Sequence, residues 1–499
     1  MTVARDTVIY MLAKAVEGVL GILTLSVYTH LFASDMLGRY NLVNQTIITA
    51  GPLCLLWLQQ GMARYVNAHE VKNDTKRLYS TVFFTWLTIS LVILAVGAAA
   101  ISLLLGPLAR METIEVFLTN FKPHWLWLAL LGIPAYGASQ LTISVAGVRR
   151  RISLTLVLSL FAAFMKLLIP LALSRGLGRT AAVEWLLITN LFCDVAIAVF
   201  GSYRLGLWKE IKLSAYARQV LVPIAAFGVP LIGNFITTTV LNNSDRFLIA
   251  AFTGLSDTGI YTINYGIASA AMTMLTFAAS RGSYPNILKS WATGDKAQTI
   301  ELISQAVRLF LLLTLPAAVG LATLSPRISA LFEESYHAGF AVIPWVSFGL
   351  LLLGLTEYSN KHWELSANTK IIFRNSAISG LANIVLNILL LPRFGYLAAA
   401  VSTFLGFLLY FLLSKLGSRK HMKWTLPALC YVRIFAAAAV MGCVVLALSY
   451  WLPASVVFLP VLIAAGAAVY AVILCASGEL MPEVRFILNT LKRGKDASK

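Results

Sequence analysis

Apolar runs long enough to cross a bilayer recur from one end of this 499-residue chain to the other. A helix needs about 20 such residues to span a hydrocarbon core of roughly 30 Å. The stretches 91–105 with its flanks, 125–145, 309–324 and 454–476 are examples. Inside lipid every backbone N–H and C=O must find a partner within the protein, which leaves only helices or closed barrels. These runs are too long and too uniform for barrel strands, which alternate over about ten residues. The sequence therefore predicts an all-α polytopic membrane protein with about 14 spans, the first at 8–31 and the last at 454–476. Only 12% of the residues are charged, and no hydrophilic stretch is long enough for a separate soluble domain.

A formal net charge of +18 raises the question of nucleic acid. The placement of the cations answers it. They gather in the connections after even-numbered spans, as at Lys72, Lys76 and Arg77, at Arg149, Arg150 and Arg151, and at Lys415, Arg419, Lys420 and Lys423. The basic tail with Lys492 and Arg493 continues the pattern, and the odd-numbered connections are poorer in Lys and Arg. The positive-inside rule then puts both termini of this multi-pass protein in the cytoplasm; the expected location is a bacterial cytoplasmic (inner) membrane. The first apolar stretch holds Lys14 and Glu17 with no small-residue cleavage site behind it, and reads as a retained span.

Enzymatic signatures are missing. The five cysteines fall in apolar runs without CxxC or Cys/His spacing, so neither a disulfide nor a metal site is expected. No P-loop or Gly-rich phosphate cradle occurs, and no cofactor is predicted.

One landmark occurs twice. Leu31-Phe-Ala-Ser-Asp-Met-Leu-Gly38-Arg-Tyr40 is echoed by Phe252-Thr-Gly-Leu-Ser-Asp-Thr-Gly259-Ile-Tyr261. Gly38 and Gly259 stand 221 positions apart, the size of a six-span unit. A parallel repeat of this kind predicts two six-helix lobes, 1–210 and 211–420, related by a pseudo-twofold axis along the membrane normal. Residues 421–499 then supply two further helices and the tail.

Charges within spans are expensive, so each is a candidate site. Lys14 and Glu17 share a helix face and form either a local pair or part of a cavity wall. Lys166 either lines a cavity or snorkels to the interface. Asp194 has no local partner and is either a proton-responsive carboxylate or the partner of a lysine, Lys166 being the nearest choice. Asp245 and Arg246 end span seven, where a helix-end anchor competes with a gate. Arg308 lies about two turns inside span nine, and Glu357, Lys361, His362 and Glu364 form a polar cluster. Asn41, Asn44, Gln45, Asn234, Asn242, Asn243 and Asn264 sit near the two landmarks, as sugar contacts or as glue between helices. Three helix breakers within span seven, Pro223, Gly228 and Pro230, make it the preferred hinge.

Asn383-Ile-Val-Leu-Asn387-Ile-Leu-Leu-Leu-Pro392-Arg-Phe-Gly395, followed by a small-residue run to Thr403, resembles a recurrent pattern of polysaccharide flippases. Asp245-Arg246-Phe247 followed by Gly259-Ile-Tyr261, and Gly38-Arg-Tyr40, are similar to further motifs of that family. Ala398 stands where the pattern usually has Gly. The family belongs to the multidrug/oligosaccharidyl-lipid/polysaccharide exporter superfamily. The resemblance implies a flippase that carries a polyprenyl-diphosphate-linked oligosaccharide across the membrane for cell-surface polysaccharide synthesis, by alternating access. Its partners would be that lipid-linked oligosaccharide, membrane lipid, and the polymerase and glycosyltransferases of the same pathway. An anionic head group calls for fixed positive charge in a central cavity. Lys14, Glu17, Lys166, Arg246 and Arg308 are then the expected substrate contacts, with Asp194 and Asp245 as gate or coupling residues. Glu17 and Asp194 keep open a cation-coupled multidrug antiporter of the same superfamily. A membrane glycosyltransferase or polymerase is disfavoured by the short odd-numbered connections.

Overall fold

The computed structural model describes residues 2–71, 74–109, 111, 115, 119–149, 151–177, 183–366, 368–419, 421–453 and 455–479. For residues 2–15 and a few others inside helices, among them Pro230, Asn234 and Arg281, only the backbone is described. Within the described residues fourteen helices have 18 residues or more. They are α1 (Thr2–Leu31), α2 (Ser34–Val71), α3 (Thr75–Leu105), α4 (Pro123–Val148), α5 (Ile152–Leu177), α6 (Val183–Arg204) and α7 (Arg218–Phe252). Then come α8 (Leu255–Ala292), α9 (Lys296–Ser329), α10 (Val342–Ser359), α11 (Thr369–Phe394), α12 (Tyr396–Ser418), α13 (Ala428–Trp451) and α14 (Leu459–Ala476). Twelve of them are long and apolar enough to cross a membrane. For α1 only the side chains from Val16 to Leu31 are described, and that stretch is apolar, while α8 carries Asp257, Asn264 and Lys289 along its length.

The surface fits lipid rather than water. Leu91, Val92 and Val96 on α3 are each more than half exposed, a face that would be a liability in solvent. Two tight connections depend on glycine. Gly254 between α7 and α8 has φ +105°, and Gly395 between α11 and α12 has φ +62°. L side chains rarely adopt such values, which explains the glycine of the Pro392–Gly395 motif.

Two compact units divide the chain. The first comprises Met1–Ile263 and Ser376–Ala399, the second Asn264–Asn375 and Ala400–Lys499. In the first, α2 packs along α7 and α4, α4 along α6, and α1 on α5. Leu58, Met62, Leu78, Val82, Val145 and Ile224 form its core where α2, α3, α4 and α7 meet. In the second, α9 packs against α10 and α13, and α13 against α14.

Glycines set how closely α2 and α7 approach. A Cβ on Gly61 would lie 2.6 Å from the carbonyl oxygen of Ile224, and one on Gly228 would lie 2.0 Å from that of Trp57. α7 runs unbroken through Pro223, Gly228 and Pro230. Gly228 therefore serves a backbone-to-backbone helix crossing of the small-residue type, and the side chain of Pro230 lies outside the described residues.

Candidate functional site

A polar cavity of about 420 Å³ lies within the first unit. Its walls come from α1, α2, α4, α5 and α6, and it brings together Glu17, Lys166 and Asp194, three of the charges singled out in the sequence. Asn44, Ser139, Gln140 and Asn190 add amides and a hydroxyl to the same lining.

Asp194 is held by Ser139, whose Oγ donates to Oδ1 at 2.7 Å. Lys166, the lysine expected as its partner, lines the same cavity. One turn before Asp194, Asn190 donates to the Tyr40 hydroxyl at 2.8 Å and to Asn44 Oδ1 at 3.1 Å. These bonds tie α6 to α2 and orient the amide wall. Tyr28 donates its hydroxyl to the Lys166 carbonyl at 2.8 Å and fixes α1 on α5 beside the lysine. The lining therefore contains one ammonium and two carboxylates among the described side chains. Lys14 lies in α1, but its side chain is outside the described residues.

The remaining candidates are elsewhere. Asp245 and Arg246, near the end of α7, are both buried. The Asp245 carboxylate accepts from the Tyr261 hydroxyl and from the Arg246 backbone N–H. The Arg246 guanidinium donates to Asn243 Oδ1 at 2.7 Å and to the Asn242 carbonyl at 3.2 Å. Nearby, Ser244 reaches Asn383 Oδ1 at 3.4 Å, and Asn387 donates to the same oxygen at 3.2 Å. The motif residues behind the family resemblance thus form a polar network joining α7, the start of α8, and α11.

Arg308 is engaged in the second unit. Its Nε lies 2.7 Å from Glu479 Oε1, and Arg433 approaches the other carboxylate oxygen at 3.4 Å. The expected cluster around Glu364 forms there too. Lys361 pairs with Glu364 at 2.7 Å, and the Tyr284 hydroxyl donates to the same carboxylate at 2.7 Å.

Sequence reasoning missed Ser139, Gln140 and Asn190. The spacing of Asn190 and Asp194, four apart on one helix face, was a usable signal for the last. Nothing local marks Ser139 or Gln140, because their position depends on how α4 is turned against α6.

Long apolar helices thus enclose a polar cavity walled by five of them. The fold is that of the multidrug/oligosaccharidyl-lipid/polysaccharide exporter superfamily. A multidrug resistance MATE family transporter of that superfamily in its inward-facing conformation superposes with a TM-score of 0.65 at 13% identity, covering 81% of this chain and 94% of the other. A superfamily transporter from Pyrococcus furiosus, described as having a binding pocket of reversed polarity, gives a TM-score of 0.52 at 14% identity over 84% of this chain and 94% of its own. The family model for polysaccharide biosynthesis proteins matches residues 45–340, and the chain belongs to that family. Probable flippase AglR of Haloferax volcanii is 26% identical over 253 residues, 49% of this chain and 52% of that protein. An uncharacterized membrane protein of Methanocaldococcus jannaschii is 25% identical over 45% of this chain and 46% of its own length. The chain spans about half the length of these curated relatives.

Proposed function

We propose that the protein is a flippase that moves a lipid-linked oligosaccharide across the cytoplasmic membrane, with both termini in the cytoplasm. The observation that carries this reading is the cavity of the first unit, whose lining combines amides and hydroxyls with one lysine and two carboxylates. Amides and hydroxyls are the groups that exchange hydrogen bonds with sugar hydroxyls. The ammonium of Lys166 offsets the charge of a phosphate-bearing head, which otherwise faces a hydrocarbon barrier. Family membership and the likeness to a probable flippase support the same reading.

In this reading Glu17 and Lys166 contact the head group, together with Lys14. Asp194 acts as the coupling carboxylate, because Ser139 can hydrogen-bond it in either protonation state. Asp245, Arg246 and Arg308, held in networks of their own, are read as positioning groups. Alternating access between two six-helix lobes would deliver the head while the polyprenyl tail stays in lipid. Polymerase and glycosyltransferases of the same pathway would be its neighbours. The test is translocation of a fluorescent lipid-linked sugar in proteoliposomes. Head groups that become accessible on the far side only in protein-containing vesicles support it, and none doing so refutes it.

A second reading rests on the carboxylates. Glu17 and Asp194 in one cavity also suit a cation-coupled drug antiporter. Increased drug resistance on expression in a pump-deficient strain, without sugar translocation in vesicles, would favour it.

A further inference from the structure

The second unit contains a larger cavity of a different character. It has a volume of about 620 Å³, is almost wholly apolar, and runs along α10 from Pro344 to Leu355. Leu311 and Leu315 of α9, Phe404 and Phe411 of α12, and Phe435 of α13 close its other walls. At a helical rise of 1.5 Å per residue, the α10 wall is about 16 Å long. That is close to one leaflet, half of a hydrocarbon core of roughly 30 Å.

One end is chemically distinct. Trp424, in the connection between α12 and α13, lines the cavity and is buried, yet its indole N–H has no hydrogen-bond acceptor among the described residues. A buried donor without an acceptor costs free energy unless something outside the described protein satisfies it. The Lys415 ammonium lies 2.8 Å from the centre of the Trp424 ring and donates to the Trp424 carbonyl at 2.8 Å. Lys423 precedes Trp424 in the chain and is exposed. The connection 419–427 also carries Arg419 and His421, and has no acidic residue. An apolar slot one leaflet deep thus ends at a free N–H donor and a group of cations.

We propose that this slot is a binding site for an anionic phospholipid of the surrounding bilayer, with an acyl chain along α10 and the phosphate at Trp424, Lys415 and Lys423. The phosphate oxygen accepts from the indole N–H, and the lysines offset its charge. A chain that ends at the bilayer midplane fills a slot of this depth, whereas a polyprenyl chain is far longer. The site is separate from the polar cavity of the first unit, so this inference stands whether or not the transport proposal does.

Binding to the purified, delipidated full chain is measured by native mass spectrometry. Phosphatidylglycerol and phosphatidylcholine with the same acyl chains serve as probes, and polyprenyl phosphate as competitor. The expected result is one retained phosphatidylglycerol, bound at least tenfold more tightly than phosphatidylcholine, whose choline cation cancels the net negative charge that the two lysines attract at about fivefold each. Lys415→Gln with Lys423→Gln should reduce that preference to below about twofold while leaving the chain contact. Leu352→Trp and Leu408→Trp, which fill the slot from opposite walls, should each abolish retention, with circular dichroism showing a folded chain. Equal binding of the two lipids to the wild type overturns the proposal. So does unchanged retention in a folded slot-filled variant, or polyprenyl phosphate displacing phosphatidylglycerol at equal concentration.

Discussion

Gly38 rests directly on the carbonyl of Leu255: a Cβ added to it would lie 1.9 Å from that oxygen. The reverse contact mirrors it, because a Cβ on Gly259 would lie 2.0 Å from the carbonyl oxygen of Ser34. Ser34 and Leu255 are themselves 221 positions apart, as are Gly38 and Gly259. The two copies of the landmark therefore meet as a pseudo-symmetric pair, each glycine seated on the start of the other's helix. The Ser34 and Ser256 hydroxyls complete the junction at 2.6 Å.

Gly38→Ala or Gly259→Ala should each destabilise the protein, because the new methyl meets backbone that cannot rotate away. Overpacking of this kind costs about 1–3 kcal/mol, at the upper end here. Gly320→Ala in α9 meets open space and should leave stability unchanged or slightly raised. Thermal unfolding of the purified variants in detergent checks this. Equal melting temperatures for all three would remove the junction from the account of stability.

Asp194→Asn preserves the shape that Ser139 recognises and removes the titratable charge. Export should fall about tenfold and lose its response to an imposed pH gradient, a loss on the scale of one charge-assisted interaction. Ser139→Ala should reduce export less and keep the gradient response. Transport in vesicles with and without a gradient distinguishes the two. A gradient response retained by the asparagine variant would take Asp194 out of coupling.

Lys14 and Glu17 separate by a double substitution. If they form only a structural pair, Lys14→Ala with Glu17→Ala leaves no stranded charge and export recovers relative to either single change. If Lys14 contacts an anionic head group, the double variant stays inactive. Complementation of a flippase-deficient strain, with membrane levels checked, gives the answer. Full export by the well-expressed double variant would remove Lys14 from the site.

Glu479 should contribute to the acid stability of the second unit. Burial raises the pKa of its carboxyl, but hydrogen bonds from Arg308 and Cys430 and the neighbouring guanidinium charge outweigh burial and hold it below its ordinary value of 4.5. A carboxyl lowered in the folded state stabilises above its unfolded pKa, and that stability is lost as pH falls through the folded value. The melting temperature should therefore drop as pH is lowered below about 4.5, and Glu479→Gln should flatten that dependence. The variant should also melt lower at neutral pH, because two guanidinium groups lose their carboxylate. A wild-type acid profile in Glu479→Gln would assign the effect elsewhere.

The sequence by itself determined the helices, their approximate number and the recurrence of the landmark at a fixed offset; that the two copies touch was decided by the tertiary structure. Hydropathy is a property of local chain, and lipid leaves an apolar segment no hydrogen-bond partner but its own backbone, so apolar length translates directly into helix. The motif glycines were legible for the same reason: Gly395 answers a local backbone demand at φ +62°. Only the tertiary structure decided which polar groups meet. Asp194 found Ser139, 55 positions away, and Arg308 found Glu479, 171 positions away. Such pairings depend on how each helix is rotated about its axis, which adjacent-helix packing fixes and hydropathy along the chain does not encode. Charges in otherwise similar apolar spans thus had different surroundings: Glu17, Lys166 and Asp194 line a cavity, while Asp245, Arg246 and Arg308 are engaged in hydrogen bonds elsewhere.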